Sequence, residues 1–93
     1  MFRGYAAWMR GEPFRAALGR VLDAAGRRRT AVMCSEAVWW RCHRRLVADA
    51  AVLLHEVPVR HLMHDGRLVE HPPSTGARVV GGGLVYDVGA LPA

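Results

Sequence analysis

The sequence predicts an α/β fold: a small, incomplete Rossmann-like layered domain with a short, mostly parallel sheet and a carboxyl-terminal hairpin. Three observations carry that expectation. Thr30 to Cys34, TAVMC, is an apolar run without polar alternation, the pattern of a strand buried on both faces. An amphipathic helix follows from about His43 to Leu54, and a second β-compatible run follows from Val57 to His64. A strand–helix–strand order whose first strand is buried predicts parallel pairing through a right-handed crossover.

The elements follow in order. In Met1 to Gly11, Tyr5 and Trp8 are three apart, as are Ala6 and Met9, which suits one helical turn carrying an aromatic flap. Glu12-Pro13 opens a longer helix, because proline is tolerated in a first turn and an acidic residue there suits the helix dipole. Phe14, Ala17, Leu18, Val21, Leu22 and Ala25 form its apolar face, and Gly26 is its natural stop. Arg27, Arg28 and Arg29 then compensate the helix's negative end. Ser35 to Arg41 is a loop. In the next helix Leu46, Val47, Ala50, Leu53 and Leu54 make the apolar stripe, with Arg45, Asp49 and Glu56 off it.

Val57, Val59, His61 and Met63 alternate with Pro58, Arg60, Leu62 and His64. Asp65-Gly66 is a two-residue hairpin signal, returning along Arg67 to Glu70. His71 to Gly76 is loop. Ala77 to Val80 and Leu84 to Val88 flank Gly81-Gly82-Gly83 as a second, weaker hairpin. The division expected is a partial α/β domain over residues 1–76 and a short hairpin or tail over residues 77–93.

A chain of 93 residues is one domain at most. Its apolar fraction of 52% argues against disorder throughout. No apolar run approaches the roughly 20 residues that span a bilayer. The amino terminus lacks the apolar core, about 7–15 residues long, of a signal peptide. A cytoplasmic protein with no membrane partner is expected, its two cysteines free thiols. The net charge is +5, and all 13 basic residues are arginine. Codon usage in a GC-rich coding sequence explains arginine in place of lysine. The excess still attracts anions, nucleic acid included.

Chemistry concentrates where the first strand meets the second helix. In open α/β sheets, ligands bind at the carboxyl ends of strands. A helix amino terminus there offers unpaired amides and a positive dipole end, and arginine grips phosphate in a bidentate way. Arg41, Arg44 and Arg45 are thus the expected anion-binding residues, for a phosphate-bearing ligand, a nucleotide or nucleic acid. Cys34, Glu36, Cys42 and His43 are candidate catalytic residues: a thiol at a helix start is biased to thiolate, with a histidine or Glu36 as base. A cysteine-phosphatase loop is excluded, since the sixth position after Cys34 is Trp40 and Arg41 comes one later. Cys34, Cys42 and His43, with His64 or His71, are zinc-ligand types. The C-x₂-C spacing is missing, and Cys42 and His43 point roughly 100° apart on a helix, so no metal is expected. The triple glycine lacks G-x-G-x-x-G spacing, so no cofactor is expected either.

The string MCSEAVWWRCHRRLVADA, followed by VPVRHLMHDGRLVEHP, resembles the bacterial family called domain of unknown function 488, as does the upstream YAAWMRGEPFRAAL. The resemblance covers about residues 4 to 75. It carries over Cys34, Glu36, Cys42, His43, Arg44 and Arg45, and more weakly His61; Tyr5, Met9 and Phe14 belong to the upstream segment. It implies a Rossmann-like fold and names no substrate. Members begin with a further strand and helix and a strand bearing Asp-x-Arg, so the chain resembles the carboxyl-terminal part of such a domain. A truncated, inactive fragment that self-associates through an exposed sheet edge is the expectation opposed to binding or thiol chemistry.

Overall fold

A computed structural model describes residues 2–33 and 38–87. Helix α1 spans Phe2–Trp8, α2 Glu12–Arg27 and α3 Arg44–His55, and a 3₁₀ turn at Trp39–Arg41 precedes α3. Four short strands follow: β1 Arg60–Leu62, β2 Leu68–Glu70, β3 Ala77–Val80 and β4 Gly83–Tyr86.

The expected parallel, Rossmann-like sheet is not formed. β1 pairs with β2 and β3 with β4, each antiparallel, as two separate two-stranded sheets. The described part of the Thr30–Cys34 run is not a strand: residues 30–33 are exposed, with Val32 at 49% and Met33 at 87%. A doubly buried strand needs hydrogen-bonded neighbours on both sides, and every strand among the described residues is engaged in its own hairpin.

The helices follow the sequence closely. Pro13 sits in the first turn of α2, Glu12 stands at its positive end, and the helix runs through Gly26 to Arg27. Its apolar face buries Phe14 and Leu18. α3 ends in a paired closure in which the Glu56 amide donates to Val52 O (3.1 Å) and the Val57 amide to Ala51 O (3.0 Å). Glu56 takes the left-handed conformation there, at φ 54°. One core joins Ala6 of α1, Met9 just past its end, Phe14 and Leu18 of α2, Leu46 and Ala50 of α3, and Leu84 of β4.

Both glycine-marked hairpins form. The first is a three-residue loop rather than two: the Met63 amide donates to Arg67 O (2.8 Å) and the Gly66 amide to Met63 O (3.0 Å), with Gly66 at φ 88°. In the second, Gly81 and Gly82 at φ 57° and 79° link Val80 to Gly83, which matches the right-handed twist of the flanking strands. Gly82→Ala is therefore expected to destabilise the fold by about 1–2 kcal/mol through left-handed strain alone. No atom lies within 4 Å of the added Cβ, so a thermal melt reads the backbone term without a clash.

Candidate functional site

The first hairpin brings two histidines to one place. His61 pairs with Val69 across β1 and β2, and the His71 amide donates to Val59 O (2.9 Å), extending the ladder by one step. Residues two apart on a strand share a face, so His61 and His71 become diagonal neighbours on the inward side. Leu62 and Leu68 pair on the outward side and are 72% and 56% exposed. Beneath this face lies the middle of α3, where Ala48, Asp49, Ala50 and Ala51 are all buried. Four consecutive helical residues point all round the axis, so this turn is enclosed on every side. The small alanines let neighbouring chain approach closely.

Asp49 is fully buried and is the hub of a hydrogen-bond network. Its Oδ1 accepts from His71 Nε2 (2.7 Å) and from the Ser74 amide (3.0 Å), and its Oδ2 accepts from the Tyr86 hydroxyl (2.8 Å). Arg45 Nε donates to Ser74 Oγ (2.9 Å) at the edge of this network. Burial pushes the Asp49 carboxyl upward, but the bonds from His71, Ser74 and Tyr86 outweigh it and hold its pKa below the ordinary value. The Tyr86 hydroxyl is pushed strongly upward by burial and then by the Asp49 charge, so it remains a donor.

The network continues outward. His61 Nε2 and His71 Nδ1 are 2.8 Å apart. An ionised Asp49 only accepts, so His71 Nε2 carries a proton. In the neutral ring Nδ1 then accepts, and His61 Nε2–H is its donor. This order leaves the lone pair of His61 on Nδ1, which has no hydrogen-bond partner among the described residues. Trp39 stacks flat on the His61 ring, with centroids 4.0 Å apart and planes 3° apart, and meets His71 edge-on at 5.3 Å. The His61 pKa is lowered to about 4 by burial first, then by His71 and Arg44, so the ring is neutral at pH 7.

His61 lies on the wall of a cleft of about 320 Å³ between the 3₁₀ turn and the first hairpin. Trp39 and Trp40 form one side, Arg44 borders it from α3, and His64, Asp65 and Arg67 border it from the loop. A cleft of about 440 Å³ lies elsewhere, between α2 and the Gly81-Gly82 turn, and contains none of the Asp49–His71–His61 residues.

The residues expected from sequence are distributed differently. Cys34 and Glu36 lie outside the described residues. Cys42 is 8% exposed and disulfide-bonded, so it presents no free thiol, against the expectation from composition. His43 is the residue preceding α3, its ring stacked on Tyr5 at 4.2 Å. Arg41 is exposed, Arg44 reaches the cleft and Arg45 turns to Ser74, so the three arginines do not converge. The amides at the start of α3 are already engaged: Arg44 N donates to Cys42 Sγ (3.4 Å), Arg45 N to Cys42 O (3.0 Å) and Leu46 N to His43 O (2.9 Å). Among the described residues no group of three or more His, Cys, Asp or Glu is arranged to hold a metal. No helix among them is long and apolar enough to cross a membrane.

Sequence reasoning placed His61 in the family string but missed Asp49, His71, Ser74 and Tyr86 as a set. The available signals were an acid set among alanines in VADAAV and a histidine at an inward-alternating strand position.

No curated protein and no solved structure matches the chain. A family model matches a stretch that stops short of His61 and His71, although it includes Asp49 and the whole start of α3. That model, described as domain of unknown function DUF488, matches residues 1–51, more than half of the 93, and the chain belongs to this family.

Proposed function

We propose that the chain binds a phosphate-bearing ligand, a nucleotide in the first instance, in the cleft bordered by Trp39, Trp40, Arg44, His61 and Arg67. The carrying observation is two arginines, Arg44 and the Asp65-paired Arg67, set beside an indole pair around one cleft of about 320 Å³. Arginine matches phosphate geometry, and an exposed aromatic face stacks on a base. Trp40 is 46% exposed and stands edge-on to Trp39 at 5.7 Å, so one indole is available while the other is committed to His61. This reading relocates anion binding from the start of α3, whose first amides are engaged, to the cleft beside it. The net charge of +5 favours approach of such a ligand. A thiol reaction at Cys42 would first need its disulfide reduced and its side chain brought out of the interior.

The test is thermal melting with ATP, ADP, inorganic phosphate and a short single-stranded oligonucleotide. A nucleotide is expected to raise the melting temperature by several degrees, because a ligand that binds only the folded state stabilises it. Arg44→Ala and Trp40→Ala each reduce the rise. If none of the four probes shifts the melt, the binding reading is wrong. If only the oligonucleotide does so, the ligand is a strand and not a mononucleotide.

A further inference from the structure

The network behind the cleft has a direction. With His71 neutral, Asp49 accepts from His71, His71 accepts from His61, and the lone pair of His61 is left at Nδ1, on a residue that lines the cleft. Ser74 and Tyr86 hold the carboxylate in place, and Trp39 holds the His61 ring flat. A purely packing role would not require a fully buried carboxylate with two histidines in series leading to a cleft wall. A neutral imidazole whose far nitrogen can give up a proton is a nucleophile rather than a surface charge.

We infer that His61 is a phosphoryl-accepting residue whose Nδ1 attacks phosphorus in the cleft, with His71 taking up the displaced proton and Asp49 as the positioning residue behind it. This rests on the phosphate-ligand reading above. The donor class is a phosphoanhydride or an acyl phosphate. The N–P bond forms as the P–O bond to the leaving group breaks, and the leaving oxygen departs with that electron pair. As Nδ1 becomes bonded, the Nε2 proton of His61 passes across 2.8 Å to His71 Nδ1. His71 is then an imidazolium against the Asp49 carboxylate at 2.7 Å, and the phosphorylated ring is left without positive charge. Arg44 and Arg67 line the same cleft and supply its positive charge, the electrostatic support that phosphoryl transfer requires, although Arg67 Nε is also paired with Asp65 Oδ2 at 2.7 Å. The depressed basicity of His61 is consistent with this role, since it keeps the lone pair unprotonated at pH 7.

The experiment incubates the full chain with ³²P-labelled acetyl phosphate and, in parallel, γ-³²P-labelled ATP, and scores acid-labile, alkali-stable label. Label is expected on His61 as the Nδ1 isomer. His61→Asn reduces it by more than about tenfold while a phosphate- or nucleotide-induced rise in melting temperature remains. His55→Asn, at the exposed end of α3 and outside this cleft, keeps the label. Asp49→Asn lowers the maximal labelling rate and leaves the half-saturating donor concentration unchanged, which a general loosening of the fold would not do. Label on His64, or on Nε2 of His61, overturns the inference. A melting shift without any label overturns it and leaves the binding reading standing. Neither shift nor label overturns both.

Discussion

Asp49→Ala is expected to destabilise the fold by about 3–5 kcal/mol, because three buried donors lose their acceptor at about 1–3 kcal/mol each. The carboxylate is fully buried and accepts three hydrogen bonds, from His71, Ser74 and Tyr86. Alanine leaves all three donors without an acceptor and opens a void in the most enclosed turn of α3. Natural domains have total stabilities of about 0.05–0.15 kcal/mol per residue, so the loss would take a large part of what 93 residues provide. Asp49→Asn, nearly the same shape, keeps one acceptor oxygen and is expected to lose about 1–3 kcal/mol. Urea unfolding followed by circular dichroism measures both. An Asp49→Ala variant within about 0.5 kcal/mol of the parent would place the residue among ordinary surface positions and end the argument for a hub.

The same residue shows what the sequence could and could not reveal. Leu46, Ala50, Leu53 and Leu54 mark one apolar stripe, and that stripe does face the core. Asp49 lies outside it, so an amphipathic reading assigns it to solvent. The helix is in fact covered on a second side by the loop after β2, through His71 and Ser74, and by the second hairpin, through Tyr86, and periodicity in one segment carries no information about partners that far along the chain. The hairpins themselves were legible because their signals are local: glycines at positive φ in Gly66, Gly81 and Gly82, and period-two alternation through His61. Parallel pairing was not, because it is a statement about distant segments. TAVMC has the composition of a buried strand, yet Val32 and Met33 are exposed, since composition supplies no neighbour to bond with. For the site, the arginines and the histidine before α3 were visible as residue types at a helix start. Their convergence depended on side-chain directions, and Arg44 and Arg45 diverge by one helical step into the cleft and toward Ser74.

Lowering the pH from 7 toward 4 is expected to weaken the fold in a window set by His61. Its folded pKa is depressed from 6.5 to about 4, by burial first and then by the nearby His71 and Arg44. The unfolded chain therefore binds a proton as pH falls through 6.5, while the folded chain resists until about 4. Stability rises with pH wherever the unfolded state holds more protons, so it declines across this interval and is level above it. Asp49 acts in the same direction at lower pH. Its folded pKa is below the ordinary value, so its contribution is present above the unfolded pKa and is lost as pH falls through the folded one. The two windows separate the residues. Urea midpoints between pH 7 and pH 4.5 should fall in the parent chain, and His61→Asn, which retains an N–H donor for His71 but does not titrate, should flatten that slope. Carried on below pH 3.8, the parent's midpoints should fall more steeply, and Asp49→Asn should remove that steepening while leaving the slope above it in place. An unchanged slope in His61→Asn would mean that His61 is not held neutral by its surroundings. The lone pair on which its chemistry depends would then be protonated over much of the range in which the fold survives.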